Sequence, residues 1–131
     1  VAKKNSTSQH VDSRSSFKNI NLEEIKFDKK FDIIVSNPPY LPDVSLKNLN
    51  LDIKLYEPKI ALQGGVQGVD FLLKIIDLAS KILKINGLLA LEIGDNQFHI
   101  LAKYLKIKRF KILDKYNLIN KQVRCLLATK L

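Results

Sequence analysis

The sequence predicts an α/β fold, a mostly parallel sheet finished by an antiparallel strand pair. Three observations predict it. The apolar run Phe31-Asp32-Ile33-Ile34-Val35 stops abruptly at Asn37-Pro38-Pro39-Tyr40, as a strand does at its C-terminal end. Phe71, Leu72, Ile75, Ile76, Leu78, Ala79, Ile82 and Leu83 recur at helical spacing. Leu88-Leu89-Ala90-Leu91 with Ile93 then reads as a buried strand. Strand, helix and strand in that order are the α/β pattern.

Residues 1 to about 7 read as the last turns of a helix ending in the polar run Asn5-Ser6-Thr7-Ser8. A short strand is expected around Ser15 to Ile20, before the strand Phe31 to Val35. Each of the two prolines that follow fixes its φ at about −65° and lacks a backbone donor. Asn37 before Pro38, and Pro38 before Pro39, are pushed out of the α region, so the strand cannot run on into a helix. Residues 41–67 form a long irregular stretch, and loops of that length in compact domains are usually functional. A helix is expected from about Val69 to Lys84, ended by Asn86-Gly87. Asp95 is placed to cap a helix reaching about Lys106. Arg109 to Lys115 and Val123 to Thr129 have the form of an antiparallel pair. No internal repeat or domain boundary interrupts this order, so residues 1–131 read as one domain.

Composition narrows the classes. The chain is 46 % hydrophobic, enough for a core, and 27 % charged. The single Cys125 lies in an apolar run, which excludes a disulfide framework and points to a reducing compartment. His10 and His99 have no ligand partner at metal spacing, so no metal site is expected. No apolar run reaches the length of a membrane span, and Val1-Ala2-Lys3-Lys4-Asn5 lacks the apolar stretch of a signal peptide; a cytoplasmic protein is expected. The net charge of +9 invites a nucleic-acid reading. It is mostly scattered lysine in a chain rich in Lys, Asn and Ile, and Arg14, Arg109 and Arg124 are its only arginines. Lys103, Lys106, Lys108, Arg109 and Lys111 cluster as a solvated helix-to-strand surface would.

The turn at 37–40 carries the chemistry. The C-terminal ends of strands are where open α/β sheets place their ligands. Asn37 offers an oxygen acceptor and two N–H donors, and Pro38 an acceptor only. Two acceptors converging on an –NH₂ group would orient an amide or exocyclic amine and favour positive charge developing on its nitrogen. Tyr40 can stack on a planar group, and its ring face attracts a cation such as a sulfonium. The plain alternative is a Pro-Pro loop that ends a strand.

At these residues the chain resembles the S-adenosylmethionine-dependent amino-methyltransferases, whose Asn/Asp-Pro-Pro-Tyr turn holds the nitrogen to be methylated. Two groups share that turn: adenine-N6 enzymes acting on nucleic acid, and the HemK/PrmC family, which methylates a glutamine amide in peptide chain release factors. Tyr56-Glu57-Pro58-Lys59-Ile60-Ala61-Leu62-Gln63-Gly64-Gly65-Val66-Gln67-Gly68 looks like the HemK/PrmC Glu-Pro, Ala-Leu, Gly-Gly, Gly segment. Leu91-Glu92-Ile93-Gly94-Asp95-Asn96-Gln97 looks like its Glu-Ile-Gly-x-x-Gln, and Arg124 sits where the family has an arginine. The likeness covers roughly residues 14–131 and favours the glutamine enzymes over the adenine ones.

The resemblance implies a partial Rossmann-like class I methyltransferase fold with S-adenosyl-L-methionine as cofactor. The acceptor would be the glutamine of a Gly-Gly-Gln motif in a peptide chain release factor. Asn37 and Pro38 would orient the amide, Pro39 and Tyr40 would line its slot, Glu57 would stand in the wall beside the methyl group, and Glu92 would support. Asn21 and Leu22 fall in the loop on the adenine side of the cofactor, where the family usually has an acidic residue; Asn37 would also border the cofactor. Gln97 reads as structural.

Two family features are absent: the Gly-rich loop after the first strand, and the acidic residue after the second strand that takes the ribose hydroxyls. No Gly occurs before Gly64, so the Gly-rich loop after the family's first strand cannot lie upstream of Asn37, and no methionine occurs at all. The resemblance therefore implies that the N-terminal strands of the usual sheet, order 3-2-1-4-5-7-6, are missing, together with the helical release-factor-binding domain. The strand ending at Asn37 would then expose an apolar edge. The expectation is weak binding of the cofactor by residues 1–131 alone, with self-association or a missing N-terminal half supplied in trans. A non-catalytic remnant or subunit of a split methyltransferase is the remaining alternative.

Overall fold

The structure, a computed structural model, describes residues 1–118 and 122–131. Among the described residues, four strands form one sheet: β1 (Phe31–Ser36), β2 (Leu83–Glu92), β3 (Phe110–Asn117) and β4 (Val123–Lys130), in the order β1-β2-β4-β3. The helices are α1 (Ala2–Ser8), α2 (Leu51–Tyr56), α3 (Asp70–Ile82) and α4 (Phe98–Ile107). β1 and β2 are parallel, with Ile33 opposite Leu88 and Ser36 opposite Leu91, and α3 makes the crossover between them. β4 is antiparallel to both β2 and β3. This order is the 4-5-7-6 half of the sheet that the resemblance implies.

The core lies on one face of that sheet. Leu72, Ile75, Ile76 and Ala79 of α3 are buried, as are Leu101 and Leu105 of α4. Leu89, Leu91 and Ile93 alternate inward to meet them, and Leu126 and Ala128 of β4 extend the same surface. The opposite face is open at the β1 edge, where Ile33 is 57 % and Val35 76 % exposed. β2 is therefore buried on one side only, with Leu88 and Ala90 half-buried.

Four expectations change. Residues 15–20 form no strand, because none of the described strands pairs with them and an extended segment without a ladder leaves its backbone groups to water. The stretch 41–67 is not irregular throughout: it holds α2 and two 3₁₀ turns, Asp43–Asn48 and Lys59–Ala61. α3 stops at Ile82, where Lys130 Nζ donates to the carbonyls of Ser80 (2.6 Å) and Leu83 (3.0 Å), and Lys30 Nζ to that of Lys81. Those ammonium groups satisfy the carbonyl end of the helix. Asn86 and Gly87 lie instead inside β2, in a bulge between the Phe31–Leu83 and Ile33–Leu88 pairs, and Asn86 has φ of 63°. α4 begins after Gln97, so Asp95 does not cap it. No helix among the described residues is long and apolar enough to cross a membrane.

Candidate functional site

β1 delivers Asn37 at its C-terminal end, and the prolines turn the chain away from the sheet at once. Pro38 is buried and anchors the turn, while Asn37 is exposed. Among the described residues, the exposed Asn37 side-chain amide makes no hydrogen bond, so its oxygen and its –NH₂ both face the solvent side of the turn.

The far end of the turn is clamped. Leu41 N–H donates to Leu62 O (3.0 Å) and Gly64 N–H to Leu41 O (2.9 Å), which lays 41 alongside the glycine segment. Gly68, at φ of 73°, lies so close that a Cβ there would sit 2.3 Å from the Tyr40 carbonyl oxygen. The Gln97 side chain, 3 % exposed, closes the junction. Its Nε2 donates to the carbonyls of Tyr40 (2.7 Å) and Gly68 (3.1 Å), and its Oε1 accepts from Gly94 N–H (2.8 Å). Three segments distant in sequence thus meet on one buried amide.

The Tyr40 side chain is held separately. Its hydroxyl donates to Glu92 Oε1 at 2.9 Å and accepts a hydrogen bond from Arg124 Nη2. Arg124 also lies over the Tyr40 ring, 4.6 Å from its centroid, and its Nε is 3.4 Å from Glu92 Oε1. Burial raises the Tyr40 phenol above its ordinary range, and its bond to Glu92 adds to this; the Arg124 charge opposes it.

A cavity of about 520 Å³ opens beside this turn. Asn37, Pro38, Tyr40, Glu57 and Arg124 give it polar functions. Leu49 and Ile53, on and beside α2, give it an apolar wall, so the stretch 41–67 forms part of the site. The arrangement offers a polar slot with an apolar approach. Glu92 reaches it through Tyr40, and Pro39 shapes the turn without lining the cavity.

Asn21 and Leu22 lie elsewhere. Leu22 is half-buried in a second, apolar cleft of about 240 Å³ with Ile34, Ser36 and Ile75, and the exposed Asn21 donates to Glu24 Oε1 at 3.1 Å. Ser36 lines this second cleft, and the next residue, Asn37, lines the first. Gln97 and Arg124 matter more to the geometry than their sequence context suggested; only their places in the motifs of a resembling family hinted at it. No group of side chains that could hold a metal ion occurs among the described residues.

Half a class I sheet, with an Asn-Pro-Pro-Tyr turn at the end of its first strand, defines the class of protein: a methyltransferase fold. A putative rRNA-methylase from Clostridium thermocellum shares it with a TM-score of 0.64 at 16 % identity, over 98 % of this chain and 67 % of that one. The chain belongs to the family described as Eco57I restriction-modification methylase, whose model matches residues 2–122. Among curated relatives, the release factor glutamine methyltransferase of Clostridium acetobutylicum is 36 % identical over 99 % of this chain and 46 % of its own length. The ribosomal protein uL3 glutamine methyltransferase of Francisella tularensis is 41 % identical over 56 % of this chain and 23 % of its own length. The chain spans less than half the length of these curated relatives.

Proposed function

We propose that this chain carries the acceptor half of an S-adenosylmethionine-dependent protein-(glutamine-N5) methyltransferase. The observation that carries the reading is the unoccupied Asn37 amide beside Pro38 on the cavity, in a chain whose curated relatives include enzymes named for glutamine methylation. Asn37 and Pro38 orient the acceptor amide by accepting from its –NH₂, and Tyr40 and Pro39 fix the slot around it. Glu57 stands in the wall, and Glu92 supports through Tyr40. As the sulfonium S–CH₃ bond broke to leave a neutral thioether, the amide nitrogen taking the methyl group would gain positive charge, which the two oxygen acceptors would stabilise, and would then lose one proton to solvent. The acceptor we propose is the glutamine of a Gly-Gly-Gln motif in a peptide chain release factor.

S-adenosylmethionine would supply the electrophilic methyl group. This chain fits it on one side only. The apolar cleft at Leu22 and Ser36, with Asn21 nearby, suits a planar base. The part that takes the methionine carboxylate in such folds is a Gly-rich loop, and no glycine precedes Gly64. The open β1 edge at Ile33 and Val35 supports a second polypeptide, or a second copy, beside that strand.

A second reading is an enzyme that methylates the exocyclic amine of adenine in nucleic acid, because the same turn would orient that amine; the relatives named for glutamine methylation do not favour it. The test is transfer of labelled methyl to a Gly-Gly-Gln peptide and to adenine-bearing DNA, with residues 1–131 alone and with the N-terminal half of a glutamine methyltransferase added. Peptide labelling that needs Asn37 supports the proposal, and Asn37→Ala is expected to abolish it while leaving the fold intact. Labelling of DNA alone replaces it with the adenine reading. Labelling of neither, with the second half present, marks a non-catalytic subunit or remnant.

A further inference from the structure

We infer that Arg124 is a positioning residue of the acceptor slot: it fixes the Tyr40 ring, and Glu92 fixes Arg124. The inference rests on the reading of the 37–40 turn as the amide slot and deepens it.

Three strands bring the three side chains together. Tyr40 follows β1, Glu92 is the last residue of β2, and Arg124 is the second residue of β4. The guanidinium lies over the Tyr40 ring at 4.6 Å, donates to its hydroxyl, and pairs through Nε with Glu92 at 3.4 Å. The hydroxyl in turn donates to the same Glu92 oxygen at 2.9 Å. The ring is thus held at its face and at its tip, and each of the three groups touches the other two. A planar guanidinium can stack and donate in two directions at once, whereas a lysine ammonium cannot.

The electrostatics fit the chemistry. A methyl donor with a sulfonium is cationic, and an unpaired guanidinium beside the slot would repel it. Glu92 cancels that charge locally while leaving the stacking plane of Arg124 intact. Ring placement matters because an error of about 1 Å in the reacting geometry can cost on the order of 100-fold in rate. Arg124 also lines the cavity, so its loss would both free the ring and widen the slot.

The first test needs no turnover. In residues 1–131 with labelled tyrosine, Tyr40→Phe identifies the Tyr40 signal among the four tyrosines. Arg124→Gln is expected to move the Tyr40 titration further upward and Glu92→Gln to move it downward. Arg124→Lys, which keeps the charge, is expected to restore the titration. The second test uses the complemented enzyme and the Gly-Gly-Gln peptide. Arg124→Gln is expected to lower kcat by about tenfold or more with the KM for the methyl donor unchanged, as for a loss of orientation. Arg124→Lys is expected to recover only part of it, and in a Tyr40→Leu background Arg124→Gln is expected to have no further effect. An unmoved Tyr40 titration, or a full Arg124→Gln effect in Tyr40→Leu, overturns the inference. A titration that moves as stated while no acceptor is methylated overturns the substrate reading alone and supports the contact that fixes Tyr40.

Discussion

The side-chain amide of Gln97 donates to the carbonyl oxygen of Tyr40 at 2.7 Å, across 57 residues of sequence. The residue that opens α4 therefore holds the last residue of the turn that follows β1. The same Nε2 reaches Gly68 O, and the same side chain accepts from Gly94 N–H. One buried amide thus ties the end of this turn to the glycine segment and to the start of α4.

Replacing Gln97 tests that dependence. Gln97→Leu is close in volume but leaves the Tyr40 and Gly68 carbonyls and the Gly94 N–H without their partner. Each buried group left unpaired costs about 1–3 kcal/mol. We expect a clear fall in the urea midpoint, with no change in the slope that reports exposed surface. A midpoint equal to that of the parent chain would show that water takes over the role of Gln97 at no cost.

Gly68 is the second device at that junction. Its φ of 73° disfavours a side chain, and a Cβ would lie 2.3 Å from the Tyr40 carbonyl oxygen and 2.6 Å from Gln97 Nε2. Gly68→Ala must displace the turn as well as adopt a left-handed backbone, which by itself costs about 1–2 kcal/mol. The expected outcome is a lower thermal midpoint together with shifted Tyr40 ring signals. Ring signals that stay in place would mean the glycine loop gives way and the turn does not.

Asp77 and Lys108 tie α3 to the end of α4, with Nζ to Oδ1 at 2.6 Å, and Tyr104 donates to the same oxygen at 2.9 Å. The bond from Lys108 holds the Asp77 carboxyl below its usual range; burial opposes it, and the bond from Tyr104 adds a lesser lowering. Because the folded state prefers the ionised acid, its stabilisation is present above the ordinary aspartate range and is lost as pH falls through the lowered folded value. Asp77→Asn is expected to flatten the fall in stability below about pH 4, where a free aspartate titrates. Both partners face solvent in part, so the effect is expected to be small and to shrink with added salt. Denaturant midpoints measured from pH 3 to pH 7 check it; parallel curves for parent and variant would remove Asp77 from the acid limb.

Several elements were legible because they rest on local patterning. The stripe from Leu72 to Ala79 needed only helical spacing, and the strand at 31–36 needed only its β-branched run and the prolines that end it. The antiparallel pair of β3 and β4 followed from two apolar runs near the end of the chain. Other readings failed where pairing or a distant side chain decided. Ser15 to Ile20 has strand-like composition but no partner strand. The end of α3 at Ile82 is set with Lys30 and Lys130, which lie about 50 residues away on either side. α2 was hidden because six residues are too few for a periodic signal, yet it and its flanks wall the cavity with Leu49 and Ile53.

The sequence by itself determined the α/β class, the half-sheet order through its resemblance, and the stiff Asn37-Pro38-Pro39-Tyr40 turn that ends the first strand of the sheet. Proline geometry and apolar periodicity are local properties, and they can be read residue by residue. Only the tertiary structure decided what holds that turn. Gln97 reaches Tyr40 from α4, Arg124 covers its ring from β4, Glu92 takes its hydroxyl from β2, and α2 closes the cavity. Those contacts join residues 52, 57 and 84 positions away from Tyr40, so they exist only once the sheet has set its register.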